Sequence, residues 1–218
     1  MYAIETQNLT KHFPGKVIVT KAVDNVSVQV KKSEIVCVVG PNGAGKTTFL
    51  KILSSLILPD MGNARINGFD ILKQENKVKE SVGFVSGDER SFYWRLTGKQ
   101  NLEFFACLYN VIDIKNRIAF LMDLLKIEEP DKKFGEYSTG MKQKFGICRA
   151  MLHNPEILIM DEPTKSLDTQ ASQNIRKFLK EELAIKQGKT ILFATHNMEE
   201  AGSLADRTLN MEQGRIHD

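Results

Sequence analysis

Apolar positions fall into three rhythms along the chain. In the first third they alternate. Residues 2–9, 17–20 and 22–30 read as strands, with Val26, Val28 and Val30 facing one side of a sheet. A continuous apolar run follows at 34–39, the pattern of a parallel strand buried on both faces. A glycine-rich turn then leads into a helix over 47–57, with Leu50, Leu53 and Ile57 at helical spacing, and Pro59-Asp60-Met61-Gly62 closes it as a turn. The middle third changes period. Leu102, Phe105, Ala106 and Tyr109 share one face of a helix over 100–109, and Ile114, Ile118, Leu121 and Leu125 share one face of a second over 114–125. The last third alternates again: strand 156–160, helix 169–186, strand 190–194, helix 198–205 and strand 207–211. Two adjacent amphipathic helices between strand-rich flanks predict a helical subdomain, at roughly 87–148, inserted into an α/β core.

At 218 residues the chain suffices for one large α/β domain or two small ones. A composition of 42% hydrophobic and 26% charged residues argues against a disordered or membrane-embedded chain. The net charge of +3 is too small to demand nucleic acid or an anionic bilayer as partner. Cys37, Cys107 and Cys148 lie far apart in apolar contexts and read as reduced, packed thiols rather than metal ligands. The N-terminus lacks a basic segment followed by an apolar one, so no leader is expected there. No stretch approaches the roughly 18 apolar residues of a membrane helix. The expectation is a chain that does not span a membrane and would work at one by docking.

Gly40-Pro41-Asn42-Gly43-Ala44-Gly45-Lys46-Thr47, followed by Thr48, fits the phosphate-binding pattern G-x-x-x-x-G-K-[ST]. It also has the right context, between a buried strand and a helix. Glycines let backbone N–H groups curl inward around phosphate oxygens, and the helix N-terminus adds partial positive charge. Lys46 would reach the β- and γ-phosphates, and Thr47 would offer its hydroxyl to Mg²⁺. Farther on, Ile157-Leu158-Ile159-Met160 buries a strand whose C-terminal end delivers Asp161 and Glu162. Asp161 is placed to hold Mg²⁺, and Glu162 to orient or deprotonate the attacking water. Adjacent acids at a strand end are usually solvated caps, a prior that the upstream phosphate loop overturns.

Five further segments resemble the ABC transporter ATPases, and the resemblance covers essentially the whole chain. Residues 137–144, Tyr-Ser-Thr-Gly-Met-Lys-Gln-Lys, resemble the family signature ahead of a predicted helix. Pro163-Thr164-Lys165-Ser166-Leu167-Asp168 resembles the D-loop region. His196 follows a strand where the family carries its switch histidine. Phe13 lies where the family has an aromatic that stacks on adenine, although a lone aromatic there also reads as core. Val82-Gly83-Phe84-Val85 resembles the strand entering the Q-loop. The implied fold is a P-loop NTPase core with a mixed sheet, an N-terminal antiparallel β subdomain and an inserted α-helical subdomain. Residues 1–218 would form one such domain, with 1–86 and 149–218 as core and β subdomain and 87–148 as the helical part.

Two departures stand out. Ser86-Gly87-Asp88-Glu89-Arg90 lacks the Q-loop glutamine. Either Asp88 or Glu89 replaces it as an oxygen donor, or that contact is lost and the loop only transmits motion. The signature has Thr139 and Met141 in place of glycine and glutamine, a form similar to that of exporter ATPases whose membrane partner is of the ABC-2 type.

The resemblance implies ATP and Mg²⁺ as cofactors and an ATPase that powers transport, by export on the signature's likeness, through a separate transmembrane permease subunit. It implies a second ATPase subunit, identical or a close homologue, in a head-to-tail ATP sandwich. Ser138 and the Gly140 N–H would close the partner's site, Asp168 would communicate across the interface, and His196 would contact the γ-phosphate. The implied location is peripheral, on the cytoplasmic face of the cell membrane, with no nucleic acid bound. The aromatic stretch Ser91-Phe92-Tyr93-Trp94 reads either as packing beneath the helical subdomain or as a groove for a partner helix. Three rivals remain. A DNA-repair or translation ATPase would carry a long coiled coil or two ATPase halves; an importer ATPase often adds a C-terminal regulatory domain; a nucleotide-binding scaffold would need no intact Lys46, Asp161, Glu162 and His196.

Overall fold

Backbone pairing at the start of the chain builds a small antiparallel sheet. The computed structural model describes residues 1–14, 20–86 and 92–217. Strand β1 (Tyr2–Phe13) pairs antiparallel with β2 (Thr20–Val26) and, farther up the same strand, with β3 (Gln29–Lys31). The sequence rhythm predicts one strand over 22–30. The structure splits it at Ser27 and Val28, just after an irregular stretch of the β1–β2 ladder in which Asn25 takes a positive φ of 57°. Thr6 stitches the break. Its hydroxyl donates to the Val26 carbonyl at 3.1 Å and accepts from the Val28 N–H at 2.8 Å. Val26, Val28 and Val30 are nonetheless all buried, as their alternation requires.

Strand β4 (Ile35–Val39) leads through the phosphate loop into α1 (Lys46–Leu53), four residues shorter at its end than the sequence predicts. Next come β5 (Met61–Ile66), β6 (Phe69–Asp70), α2 (Glu75–Ser81) and β7 (Val82–Val85). Strands β5 and β6 complete the antiparallel sheet on the far side of β1. The expected turn at 59–62 therefore runs directly into a strand. Helices α3 (Gly98–Leu108), α4 (Ile114–Leu124) and α5 (Thr139–Met151) form the helical subdomain, consecutive and without an intervening strand. The chain returns through β8 (Ile157–Asp161), α6 (Thr169–Lys177), β9 (Thr190–Thr195), α7 (Met198–Leu204), β10 (Arg207–Glu212) and β11 (Arg215–His217). Helix α6 continues as a π-helical segment, Phe178–Lys186, whose i→i+5 winding keeps Leu179 and Leu183 buried.

The second sheet runs β11-β10-β4-β9-β8-β7, parallel throughout except for the antiparallel β11 edge. It separates two cores. Ile35, Cys37 and Val39 face the helical side with Phe134, Phe145 and Leu179, while Val36 and Val38 face α1 and the antiparallel sheet. Burial on both faces explains the unbroken apolar run of β4. Among the thiols, Cys37 and Cys148 are buried as expected, whereas Cys107 is exposed.

Aromatic packing ties the helical subdomain together. Phe92 stacks on Phe134 at 4.3 Å between centroids and 7° between planes, and Phe134 meets Tyr137 and Phe145 edge-on. Trp94 and Tyr93 stay half-exposed, Trp94 under the Lys142 ammonium at 4.6 Å and Tyr93 against Phe104. Of the aromatic stretch, Phe92 packs in the core as one reading expects, and the next two rings lie at the surface. Residues 17–19 of an expected strand, Gly87, Arg90 and Ser91, and the Q-loop candidates Asp88 and Glu89 lie outside the described residues.

Phe134→Ala is expected to cost about 3–5 kcal/mol, because it removes a fully buried ring at the centre of this cluster. Urea denaturation monitored by circular dichroism measures the loss; a midpoint unchanged from wild type would contradict the packing described.

Candidate active site

Register brings the chemistry to one edge. Val39 pairs with Thr195 across β4 and β9, and Asp161 pairs with Ala194 across β8 and β9. The residues immediately after these strands (the phosphate loop, Glu162 and His196) therefore leave the sheet side by side at its C-terminal edge, where open α/β sheets bind ligands.

Close packing dictates the loop's glycines. A Cβ on Gly40 would lie 2.1 Å from the Met211 carbonyl oxygen, and one on Gly45 would lie 1.9 Å from that of Ala22. Gly45 also takes φ 107°, in the left-handed region. A hydrogen bond from Gly214 N–H to the Ala44 carbonyl, 2.9 Å, ties the loop to the β10–β11 turn. Helix α1 follows Gly45 without a side-chain cap, as α2 and α4 also begin, whereas the first turns of α3, α5, α6 and α7 are capped by Thr97, Ser138, Asp168 and Asn197. Its leading N–H groups are of the kind that bind anions at helix N-termini. Lys46 is buried and donates to the Gly40 and Pro41 carbonyls at 2.7 and 3.0 Å.

A cleft of about 380 Å³ gathers Phe13, the 42–48 segment, Asp161, Glu162 and Lys165. The structure thus places Phe13, partly exposed beneath Lys11, on the rim of the phosphate loop rather than in the core. Lys165 is a lining residue that sequence reasoning missed; a lysine in a polar loop carries no local signal. The Thr47 hydroxyl donates to Asp161 Oδ2 at 2.8 Å. Two hard oxygen donors converging beside a phosphate loop suit Mg²⁺, which keeps waters and phosphate oxygens as its other ligands. Among the described residues no group of three or more acidic, histidine or cysteine side chains could hold a metal ion. Burial raises the Asp161 carboxyl above its ordinary range, the Thr47 hydrogen bond opposes this, and the Glu162 charge reinforces it.

Glu162 holds a left-handed φ of 54°, unusual for a non-glycine residue, with its N–H bonded to the Ala194 carbonyl at 2.9 Å. That turn lets its carboxylate meet His196, Oε1 to Nδ1 at 2.8 Å. Lys46, Thr47, Asp161 and Glu162 with its partner His196 are thus assembled within one chain. The signature is placed elsewhere. Ser138 caps α5 by accepting from the Met141 N–H at 3.3 Å, and neither it nor Gly140 lines the phosphate-loop cleft. Gly140 instead neighbours Leu167 and Ala171, and Asp168 caps α6 through the Ala171 N–H at 2.8 Å.

A protein-family model described as ABC transporter matches residues 23–165. The chain is 38% identical over 216 residues to the ABC transporter ATP-binding protein NatA of Bacillus subtilis (strain 168), covering 98% of this chain and 87% of that protein. It is 34% identical over 216 residues to the bacitracin transport ATP-binding protein BcrA of Enterococcus faecalis, covering 99% and 68%. Its fold matches the dimeric structure of MJ0796, a bacterial ABC transporter cassette, with TM-score 0.88 and 26% identity over 99% of this chain and 97% of that one. The same cassette was solved as a dimer in a post-hydrolysis state bound to ADP and Pi.

The raised Asp161 carboxyl has a measurable consequence. The folded state holds its proton to higher pH than the unfolded chain, so this group's contribution to stability falls as pH rises through and above the ordinary aspartate range. Asp161→Asn is expected to remove that slope and raise the melting temperature of the nucleotide-free protein at neutral pH, on the order of 2 °C. Calorimetry between acid and neutral pH checks it; a lower melting temperature for the variant at neutral pH would refute the electrostatic account.

Proposed function

The chain belongs to the ABC transporter family of ATP-binding proteins, and from that premise we propose how its residues bind and hydrolyse ATP to power transport. The observation that carries the proposal is the convergence of Lys46, Thr47, Asp161 and Glu162 on one cleft, with His196 hydrogen-bonded to Glu162. The backbone N–H groups of 40–48 and Lys46 bind the phosphates of ATP. On ATP binding Lys46 exchanges its two carbonyl partners for phosphate oxygens. Phe13 stacks on the adenine. Mg²⁺, held by Thr47 and Asp161, neutralises charge on the phosphate oxygens when bound. Glu162 orients the attacking water and takes its proton; His196 fixes the Glu162 carboxylate and faces the γ-phosphate.

A second subunit and a permease complete the reading, the first supported by the dimeric cassette whose fold the chain matches. Ser138 and the Gly140 N–H, at the N-terminus of α5, close the cleft of a second ATPase subunit, identical or homologous, which closes this one in turn. As cap, the Ser138 hydroxyl accepts one hydrogen bond and keeps its own hydrogen to donate to a γ-phosphate oxygen. The work is delivered to a separate membrane-spanning permease. Among the described residues no helix is long and apolar enough to cross a membrane. The chain's place is at the cytoplasmic face of the membrane, against that permease. Likeness to the Nod factor export ATP-binding protein I of Burkholderia orbicola (strain AU 1054), 36% identical over 215 residues, supports export as the direction. The chain acts as one ATPase domain over 1–218, with 87–148 as its helical subdomain.

Glu162→Gln should abolish ATP turnover while leaving ATP-bound dimers visible by size-exclusion chromatography. Unchanged turnover with persistent monomers would overturn the assignment. Lys46→Ala should raise the dissociation constant for ATP at least tenfold, about 1.4 kcal/mol, by titration calorimetry, and undiminished affinity would remove the phosphate-loop reading.

A further inference from the structure

The hydrolytic glutamate and the histidine beside it sit on two loops that are joined twice. One link is the exposed contact of Glu162 with His196. The other lies deeper: the Thr164 hydroxyl donates to Glu200 Oε1 at 2.7 Å, and Glu200 is 2% exposed. Thr164 stands two residues beyond Glu162, and Glu200 four residues beyond His196. We propose that Glu200 is a positioning residue of the hydrolytic centre, clamping the loop that carries Glu162 to the helix that follows His196.

Three observations carry this. First, the backbone of Glu200 is itself held in place. Asn197 Oδ1 caps the first turn of α7, accepting from the Glu199 and Glu200 N–H groups at 2.9 and 3.2 Å, and the Asn197 N–H bonds the Thr195 hydroxyl at 3.0 Å. Glu200 is thereby referenced to the end of β9, the point from which His196 departs. Second, the other loop needs an anchor. Glu162 and Ser166 both take left-handed φ values, 54° and 61°, which only surrounding contacts maintain. Thr164 lies midway between them. Third, burying a carboxylate is costly, and an apolar side chain of similar size would pack on α7 more cheaply. A hydrogen bond from the hydroxyl to a carboxylate is a stronger and more directional tether than apolar contact. Glu200 touches none of the reacting groups; it and Thr164 line a neighbouring cleft of about 450 Å³ that Glu162, His196 and Asn197 also line.

The inference rests on the assignment of Glu162 and His196 made above, and the experiment separates the two. Steady-state ATP hydrolysis, ATP affinity and melting temperature are measured on the full chain carrying Thr164→Val, Thr164→Ser, Glu200→Gln, Glu200→Leu and the double change Thr164→Val/Glu200→Leu, with Glu162→Gln as control. Thr164→Val keeps the shape of the side chain and deletes the donor. It should lower kcat about tenfold, as when a charge-assisted hydrogen bond stops supporting the barrier, with ATP affinity unchanged. Thr164→Ser and Glu200→Gln, which keep a donor and an acceptor, should retain most of the rate. The double variant should be no slower than the slower single one, the sign of a shared interaction. If Glu200→Leu does not fold, the Thr164 pair decides alone. Wild-type kcat for Thr164→Val beside an inactive Glu162→Gln would overturn the clamp and leave the active site standing. Equal losses for Thr164→Val and Thr164→Ser would also overturn it, since packing rather than the hydrogen bond would then matter. Full activity of Glu162→Gln would instead remove the assignment on which the clamp rests.

Discussion

In-register parallel pairing of β4, β9 and β8 is the constraint on which the rest depends. Side chains on a strand alternate between faces, so a slip of one residue would turn every apolar side chain of β4 toward the wrong core. Both faces of β4 are committed: Ile35, Cys37 and Val39 to the helical side, Val36 and Val38 to α1 and the antiparallel sheet. The register is therefore fixed from two directions. The pairings Val39 with Thr195 and Asp161 with Ala194 then place three strand ends at one level. Chemistry that needs a phosphate cradle, two carboxylates and a histidine close together is supplied by where three strands stop.

Local costs collect at that edge. Asp161 has a carboxyl raised by burial, Glu162 a left-handed backbone, the phosphate loop two glycines pressed against carbonyl oxygens, and α1 an N-terminus without a side-chain cap. Each departs from what would make the fold most stable, and all four lie within one small region. The two cores on either side of the sheet hold that region in shape.

What could be read from the sequence was what local pattern encodes. The buried run of β4, the glycine loop and the α1 periodicity lie next to one another in the chain, as do the β8 run and its two acids, so strand, site and helix were legible together. The strands β5, β6 and β11 were not. Gly62-Asn63 and Gly68 look like turn signals, and β11 is three residues long; these segments are strands because β1, β5 and β10 offer them ladder partners. The break between β2 and β3 was hidden for the same reason, since the valine alternation runs unbroken through it while the Thr6 hydroxyl that bridges it comes from another strand. Glu200 was illegible as more than a helix residue. Its burial and its bond to Thr164 arise from a separation of 36 positions, which no periodicity reports.

The segment from Glu162 to Ala171 behaves as one mechanical piece. It starts at Glu162, the carboxylate proposed to act on the attacking water, is pinned to α7 at Thr164, turns at Ser166, caps α6 with Asp168 and ends near Gly140. Hydrogen bonds fix it at Thr164 and at Asp168, on either side of the Ser166 turn. A change at the γ-phosphate that moves Glu162 or His196 must be taken up either by breaking the Thr164–Glu200 bond or by moving α6 and, with it, the surface against which Gly140 packs. Spatial adjacency alone would not make this a route for coupling. What the segment does establish is geometry: the Thr164–Glu200 bond, made at 2.7 Å, is the point where the Glu162 loop is tied to the helix that follows His196, so a displacement of either loop loads that bond first.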